Sequence, residues 1–154
     1  MIEMNQKAID LDPNFWPALR DRGLGYERVG RFAEAVASMQ KAREIDAHSS
    51  VLEMLAGAYV AWGKKDEAKK VLAELHDLAG RQYVCAYEVA TVHAGLGDRE
   101  ATLQWLEKGY KERADCMAWS ASDPKLDGME SDPRFQDVLR RLGLQRQLQG
   151  VLKK

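Results

Sequence analysis

The segment GYERVGRFAEA, residues 25–35, returns in altered form as AYVAWGKKDEA at residues 58–68 and as VHAGLGDREAT at residues 92–102. The three copies align on Gly30, Gly63 and Gly97, so the spacing between copies is 33 and then 34 residues. A fixed period of this length indicates a repeat architecture. We therefore base the prediction of the fold on this period.

The residues around each glycine keep the same register in all three copies. A ring-bearing residue stands four positions before the glycine, a small residue five positions after it, and further packing residues nine and twelve positions after it. The ring-bearing residues are Tyr26, Tyr59 and His93, and the small residues are Ala35, Ala68 and Thr102. Nine positions after the glycine stand Met39, Leu72 and Leu106, and twelve positions after it stand Ala42, Leu75 and Gly109.

Each copy is predicted to be a pair of helices joined at the glycine. After Gly30, apolar residues recur at helical spacing and make a single stripe. The residues before each glycine, 19–29, 51–62 and 83–96, also have helical character. A glycine between two helices can adopt the left-handed conformation that ends a helix. The small residue five positions later is expected to let the second helix lie close to the first.

This pattern resembles the tetratricopeptide repeat, whose 34-residue motif combines W-x2-L-G-x2-Y, a turn glycine, A-x3-F and a closing proline. The matching repeats span residues 16–48, 49–82 and 83–115, and AIDLDP at residues 8–13 matches the end of a further repeat, which makes residues 1–13 a half repeat. The sequence departs from the motif at Arg22, where the family usually has leucine, and at the closing prolines, which are replaced by Ala47, Gly80 and Ala114.

The resemblance implies an all-α fold, in which antiparallel helix pairs form a right-handed superhelix, or α-solenoid, within a single domain of residues 1–154. It also implies a scaffold that binds a protein or peptide ligand without catalysis. Such arrays use the concave side formed by the first helix of each pair. The residues expected on that side are Arg20, Leu24, Glu27, Glu53, Gly57, Val60, Tyr87, Thr91 and Ala94.

The C-terminal segment, residues 116–154, breaks the period and is predicted to be a cap and tail. The pairs Asp123-Pro124 and Asp132-Pro133 are typical of helix starts, with Asp as the cap and Pro in the first turn. After the second pair, Phe135, Val138, Leu139 and Leu142 form one apolar face. We therefore expect a capping helix there, and a weakly helical tail at QRQLQGVLKK, residues 145–154.

A second, looser resemblance concerns the end of the chain. The stretch GLGDREATLQWLEKGYKERAD, residues 95–115, followed by SDPRFQDVLRRLGL, residues 131–144, is similar to the C-terminal part of many bacterial multidomain regulators. This resemblance implies an alternative function, a regulatory or self-association module of a larger bacterial signalling protein or transcription regulator.

Composition argues against several other classes of protein. The formal net charge of −1 is unlike that of a general nucleic-acid or anionic-membrane surface. No apolar run approaches the 18 residues of a membrane-spanning helix, and the N-terminus lacks the apolar stretch of a secretory signal. Motifs for phosphate, nucleophile or zinc sites are missing from the sequence. We therefore expect a cytoplasmic protein that is not an enzyme and has no cofactor, metal, nucleic-acid or membrane partner.

The two cysteines, Cys85 and Cys116, lie 31 residues apart, and neither has a second cysteine nearby that would suggest a metal site. We expect two free thiols in a reducing compartment.

The N-terminal half repeat is expected to leave apolar surface uncovered. Ile2, Met4, Ala8, Ile9 and Leu11 belong to a helix whose mate would precede Met1. Exposed apolar surface of this kind is commonly a contact site. The sequence therefore suggests either a piece of a longer array or a homodimer formed through the N-terminal half repeat.

Overall fold

The computed structural model describes residues 1–144, and these form helices and connecting turns without any β-strand. The prediction for the tail at 145–154 lies outside the described residues. The all-α prediction is confirmed. The α-helices are α1 (Ile2–Leu11), α2 (Trp16–Arg28), α3 (Phe32–Ile45), α4 (Ser49–Ala61), α5 (Lys65–Arg81), α6 (Ala86–Gly95), α7 (Arg99–Lys111) and α8 (Pro133–Arg141).

The chain divides into two compact units, one from Met1 to Val84 and one that begins at Cys85. The first unit contains α1 to α5. The second contains α6, α7 and α8, together with two 3-10 helices between α7 and α8, Asp115–Ala121 and Pro124–Met129.

Within the first unit each helix packs against the next one along the chain. The contact between α2 and α3 is close because residues with little or no side chain lie on it. Ser38 donates a hydrogen bond of 2.7 Å from its hydroxyl to the carbonyl of Leu19, and a Cβ added to Gly23 would lie 2.6 Å from Cγ of Met39. Ala35 and Ala68 are fully buried. The expectation that the small residue after each turn lies at a helix contact is confirmed for both alanines.

The three recurring glycines have the backbone conformation expected of them. Their φ angles are 76°, 80° and 82° for Gly30, Gly63 and Gly97. After each glycine, the next amide donates to the carbonyl of the ring-bearing residue four positions before the glycine. These bonds run from Arg31 to Tyr26 (2.9 Å), from Lys64 to Tyr59 (2.8 Å) and from Asp98 to His93 (3.0 Å).

This hydrogen bond is that of the Schellman motif, which satisfies a carbonyl that the end of the helix leaves unpaired. The recurring sequence is therefore a helix end of one geometry that occurs three times. The same left-handed turn ends α8 at Gly143, where φ is 72°.

The end of α7 makes the same turn without a glycine. Arg113 has a φ of 51°, and the amide of Ala114 donates to the carbonyl of Gly109 over 3.1 Å. Holding an L-residue in this conformation costs roughly 1–2 kcal/mol. The Arg113 side chain is exposed, so its removal breaks no packing.

Arg113→Gly is therefore expected to stabilise the second unit by about 0.5–1 kcal/mol, after part of the relieved strain is offset by the greater freedom of glycine in the unfolded chain. Urea unfolding followed by circular dichroism would measure the change. Gly63→Ala is the matched reverse variant, and we expect it to lose about 1 kcal/mol. A lower stability for Arg113→Gly would contradict the assignment of strain to Arg113.

In the second unit α8 runs parallel to α7. Glu100 forms an ion pair with Arg134, and Glu107 forms one with Arg141, so the pairing advances in the same direction along both helices. Both pairs join residues 34 positions apart, which is the length of one repeat. The sequence pattern of the period ends after residue 115, but the contacts between α7 and α8 still join residues that are one period apart.

The two Asp-Pro pairs start helices, as predicted. Asp123 accepts a hydrogen bond from the amide of Lys125 and caps a 3-10 helix, whereas Asp132 accepts one from the amide of Arg134 and caps α8. Of the predicted apolar face, Phe135, Val138 and Leu139 are buried in the core of the second unit, and Leu142, which follows α8, packs against that core while partly exposed. This core consists of Ala90, Leu103, Leu106, Met117, Leu126, Met129, Phe135, Val138 and Leu139.

The N-terminal helix α1 packs on α2 through one side. Ile9 is buried beside Leu19 and Ala42. On its other side Met4 is 75% exposed and Leu11 is 89% exposed. The expected uncovered apolar surface is therefore present on α1 in the described chain.

Candidate partner-binding surface

The first helices of two repeats lie side by side in the first unit. Near their N-termini, the rings of Trp16 and His48 stack with centroids 5.2 Å apart, and Arg20 donates to the hydroxyl of Ser50 over 3.0 Å. Both contacts join residues of α2 to the corresponding end of α4, so the two helices run in the same direction. The two helices are therefore neighbours near their N-terminal ends.

We use the name α2/α4 surface for the six groove residues that the sequence predicts in the first unit, which are Arg20, Leu24, Glu27, Glu53, Gly57 and Val60.

The partly exposed members of the α2/α4 surface are both apolar and charged, since Arg20 and Glu27 are half-buried as well. Leu24, Gly57 and Val60 are half-buried, so each presents part of its surface to solvent. Glu53 is only 6% exposed, which leaves its carboxylate little access to a ligand. The Arg20 guanidinium lies 2.8 Å from the carboxylate of Asp21, besides its bond to Ser50. The surface can therefore offer the apolar residues Leu24 and Val60, together with Arg20, whose guanidinium is held by Asp21 and Ser50.

The three expected groove residues of the second unit lie on α6, where the chain's own C-terminal segment approaches them. The Tyr87 hydroxyl donates to the carboxylate of Asp123, Thr91 is 2% exposed, and Ala94 packs beside Met129. This corrects the expectation of an open surface on α6, because the 3-10 helix Pro124–Met129 packs against that helix. The sequence did not indicate this because the segment shows no helical periodicity.

A groove of about 940 Å³ lies between α7 and α8. Its floor contains Leu103 and Val138, which are 8% and 3% exposed and so have little apolar surface left to bury. Its walls carry four acidic and four basic side chains, and the two ion pairs that join α7 to α8 cross it. These are Glu100, Glu107, Glu112 and Asp137, with Lys108, Lys111, Arg134 and Arg141. The ion pairs across this groove thus join α7 to α8.

The carboxylate of Asp132 is the most strongly perturbed acid in this region. It accepts hydrogen bonds from the side chain of Arg134, from the backbone amide of Arg134 and, at 3.5 Å, from Arg99. The Arg134 side chain first, and then its amide, lower the pKa of Asp132 to about 2. Hydrogen bonds from Arg134 and Arg141 likewise lower the pKa of Glu100 and of Glu107.

These shifts predict how stability depends on pH. A carboxyl whose pKa falls on folding stabilises the folded state fully above its unfolded pKa of about 3.9, and the contribution is lost as the pH falls towards the folded pKa. Asp132→Asn should therefore lower the melting temperature at pH 7. The difference from the unchanged protein should shrink between pH 4 and pH 2.

Thermal melts at several pH values would test this. Asp46→Asn, which neutralises an exposed carboxylate of the first unit, is the control and should leave the pH profile unchanged. A constant difference between Asp132→Asn and the unchanged protein from pH 7 to pH 2 would argue against the role of the Asp132 charge.

The three histidines lie on separate elements. His48 precedes α4 and caps it, His76 is on α5, where burial lowers its pKa, and His93 is on α6, 3.6 Å from the carboxylate of Asp98. Within residues 1–144, no group of three or more His, Cys, Asp or Glu side chains is arranged to hold a metal ion. None of the helices described is both long enough and apolar enough to cross a lipid bilayer.

The prediction of two free thiols is wrong for this structure. Cys85 and Cys116 form a disulfide, with Cα atoms 6.5 Å apart. The residues are distant in the sequence, but the 3-10 helix Asp115–Ala121 packs on α6 and brings them together. The 31-residue spacing of the two cysteines is too long for a metal motif of two nearby cysteines. That spacing does not show whether the two residues meet in the folded chain.

No family model matches the sequence, and no curated protein matches it.

Proposed function

We propose that this chain is a non-catalytic protein-interaction module of the tetratricopeptide type, and that its α2/α4 surface binds a peptide or a short helix. The observation that carries the proposal is the repeated helix pair. The pairs α2–α3, α4–α5 and α6–α7 share the left-handed glycine, the same hydrogen bond across it and a fully buried small residue after it. Repeats of this kind commonly present an extended binding surface.

The nature of the α2/α4 surface supports a ligand with an apolar anchor. Leu24 and Val60 offer partly exposed apolar side chains, and the half-buried Gly57 adds no side chain of its own. Arg20 at one end can meet a polar or acidic group of the ligand. An apolar anchor with a polar rim is the usual composition of a peptide-binding site.

The solenoid with three repeats and a C-terminal cap belongs to the same proposal, as does a cytoplasmic location. The parallel course of α2 and α4 and that of α7 and α8 support the solenoid, because parallel neighbours one repeat apart are what stacked helix pairs produce.

The experiment is a selection of peptides from a phage-displayed random library against the intact chain. Selected peptides are then measured against a double variant, Leu24→Gln with Val60→Thr, which keeps side-chain size and removes apolar character. We expect at least about a tenfold loss of affinity, as is usual when a central apolar anchor is removed.

The matched control is Leu11→Gln with Val29→Thr, which makes the same chemical changes at exposed positions of α1 and at the end of α2. It should leave peptide affinity unchanged. Equal binding to the α2/α4 double variant and to the unchanged protein would refute the proposed site.

The alternative function is a regulatory or self-association module, and the exposed side of α1 favours it. Met1, Ile2, Met4 and Val29 line a depression of about 610 Å³. However, α1 has ten residues and is only about 15 Å long. Because a stable interface buries about 800 Å² on each partner, α1 alone supports at most weak pairing of two copies.

Sedimentation over a concentration series would test this alternative. The control variant, Leu11→Gln with Val29→Thr, now becomes the test variant and should reduce any association. A sedimentation coefficient that stays at the value of the 17.4 kDa monomer at every concentration would exclude a homodimer through α1.

A further inference from the structure

The disulfide ties two elements of the second unit whose other contacts are few. Cys85 is the residue before α6, and Cys116 is the second residue of the 3-10 helix Asp115–Ala121. The chain has two cysteines, so this is its single possible intramolecular disulfide. When it is reduced, the 3-10 helix depends on noncovalent packing alone.

That packing rests on a small number of side chains. Met117 is 1% exposed and fits against Gly109 and Ala86, where a Cβ on Gly109 would collide with the Met117 sulfur. By contrast, Trp119 is 66% exposed, and Ala118 before it is also exposed. The segment is therefore anchored by Met117, by the buried Ser120 and by Ala121, which packs against the core of the unit.

Two further features weaken this 3-10 helix. It is entered through Arg113, whose left-handed conformation is strained. Its residue Ser120 is fully buried, and the Ser120 hydroxyl has no hydrogen-bond partner among the described residues. A buried hydroxyl without a partner loses its hydration without compensation, so opening of the segment is favoured by the water that this group regains.

We propose that Cys85 and Cys116 form a thiol–disulfide switch that controls local opening of the 3-10 helix Asp115–Ala121. The reagent is a small thiol and its disulfide, of the glutathione class. In the oxidised state the segment is fastened to the start of α6. In the reduced state it opens and exposes Met117, while the rest of the unit keeps its core.

The sites of attack follow from exposure. Cys116 is half-buried, whereas Cys85 is only 9% exposed. Because Cys116 is the more exposed residue of the two, we expect an incoming thiolate to attack its sulfur first. The sulfur of Cys85 then leaves as a thiolate at the N-terminus of α6, where the helix dipole stabilises negative charge. Glu88 in the first turn of α6 opposes this effect, and Asp115 disfavours a thiolate on Cys116.

The reaction balances as two exchanges. The first thiolate attacks Cys116, the bond between the two cysteine sulfurs breaks, and a mixed disulfide forms at Cys116. A second small thiolate attacks the small-molecule sulfur of that mixed disulfide, which releases Cys116 as a thiolate and produces one small disulfide. The protein gains two electrons, and each cysteine takes up a proton from water according to its pKa. Oxidation is the reverse sequence.

The experiment equilibrates the intact chain in buffers with different ratios of reduced to oxidised glutathione, traps thiols by alkylation and measures both states by mass spectrometry. Hydrogen exchange is then compared between the two states. We expect the amides of residues 116–122 to exchange at least about tenfold faster in the reduced state, because loss of the cross-link favours local opening. Amides of α3 should not change.

Three variants test the assignment. The double variant, Cys85→Ser with Cys116→Ser, should exchange like the reduced protein in every buffer and keep its helical circular dichroism. Cys85→Ser should form a mixed disulfide with glutathione readily, and Cys116→Ser should do so more slowly, because its remaining thiol is buried.

Three outcomes would overturn the proposal. The first is equal exchange at 116–122 in the two states. The second is a pair that stays oxidised in a large excess of reduced glutathione, which would make it a permanent structural bond. The third is a pair that never forms a disulfide.

Discussion

Ala68→Glu is expected to destabilise the protein by about 3–5 kcal/mol, which is a large fraction of the roughly 5–15 kcal/mol by which an ordinary domain is stable. Ala68 is fully buried on α5, in the helix that packs against α4. The longer side chain would need space that the close contact does not provide, and its carboxylate would lose its hydration on burial. Both effects act in the same direction.

Urea unfolding followed by circular dichroism at 222 nm would measure the loss. Ala73→Glu is the matched control, since Ala73 is exposed on the same helix and the substitution adds the same charge. It should change stability by less than about 0.5 kcal/mol. If Ala68→Glu unfolds at the same urea concentration as the unchanged protein, then position 68 cannot be a buried helix contact, and the register of the repeats is wrong.

Gly23→Val is expected to cost about 3 kcal/mol or more. A Cβ at this position would lie 2.6 Å from Cγ of Met39 and 3.0 Å from the backbone carbonyl oxygen of Ala35. Because Cγ is near the start of the Met39 side chain and the carbonyl belongs to α3, neither can move without shifting the helix. Overpacking of this kind typically costs 1–3 kcal/mol, and the branched valine adds two further carbon atoms.

Gly80→Val provides the control for Gly23→Val. Gly80 also lies within a helix, but a Cβ added there meets nothing within 4 Å. Replacing a glycine inside a helix by valine changes helix propensity only slightly, so this variant should be nearly neutral. If the two variants lose equal stability, the loss at position 23 reflects helix propensity and not the approach of α3.

Much of the local structure was predictable because it depends on residues close together in the sequence. The positive φ of Gly30, Gly63 and Gly97 follows from a requirement that glycine meets without steric cost. The burial of Ala35 and Ala68 follows from the helical spacing of small residues after each turn. The starts of helices at Asp123 and Asp132 follow from the Asp-Pro pairs. The nine expected groove residues were predicted from the same register, and their use by a partner remains a prediction.

The start of α6 was predicted less well. The sequence suggested a helix from residue 83, but the helix begins at Ala86. Cys85 has an extended backbone because it precedes the helix, and its sulfur is joined to Cys116. A helical pattern does not specify where a helix starts when the residue before it is fixed by a distant segment.

The sequence by itself determined the helices, the turns between them and the small residues at their contacts, because helix propensity, glycine conformation and apolar spacing act over a few residues. Only the tertiary structure decided where residues 115–129 pack and which helix α8 lies beside. Their 3-10 helices have no periodic apolar pattern, so the sequence did not indicate that they cover α6, join Cys116 to Cys85 and carry α8 to its place beside α7. Such contacts depend on burial and on ion pairs between residues about one repeat apart, and those energies exist only once the chain has folded.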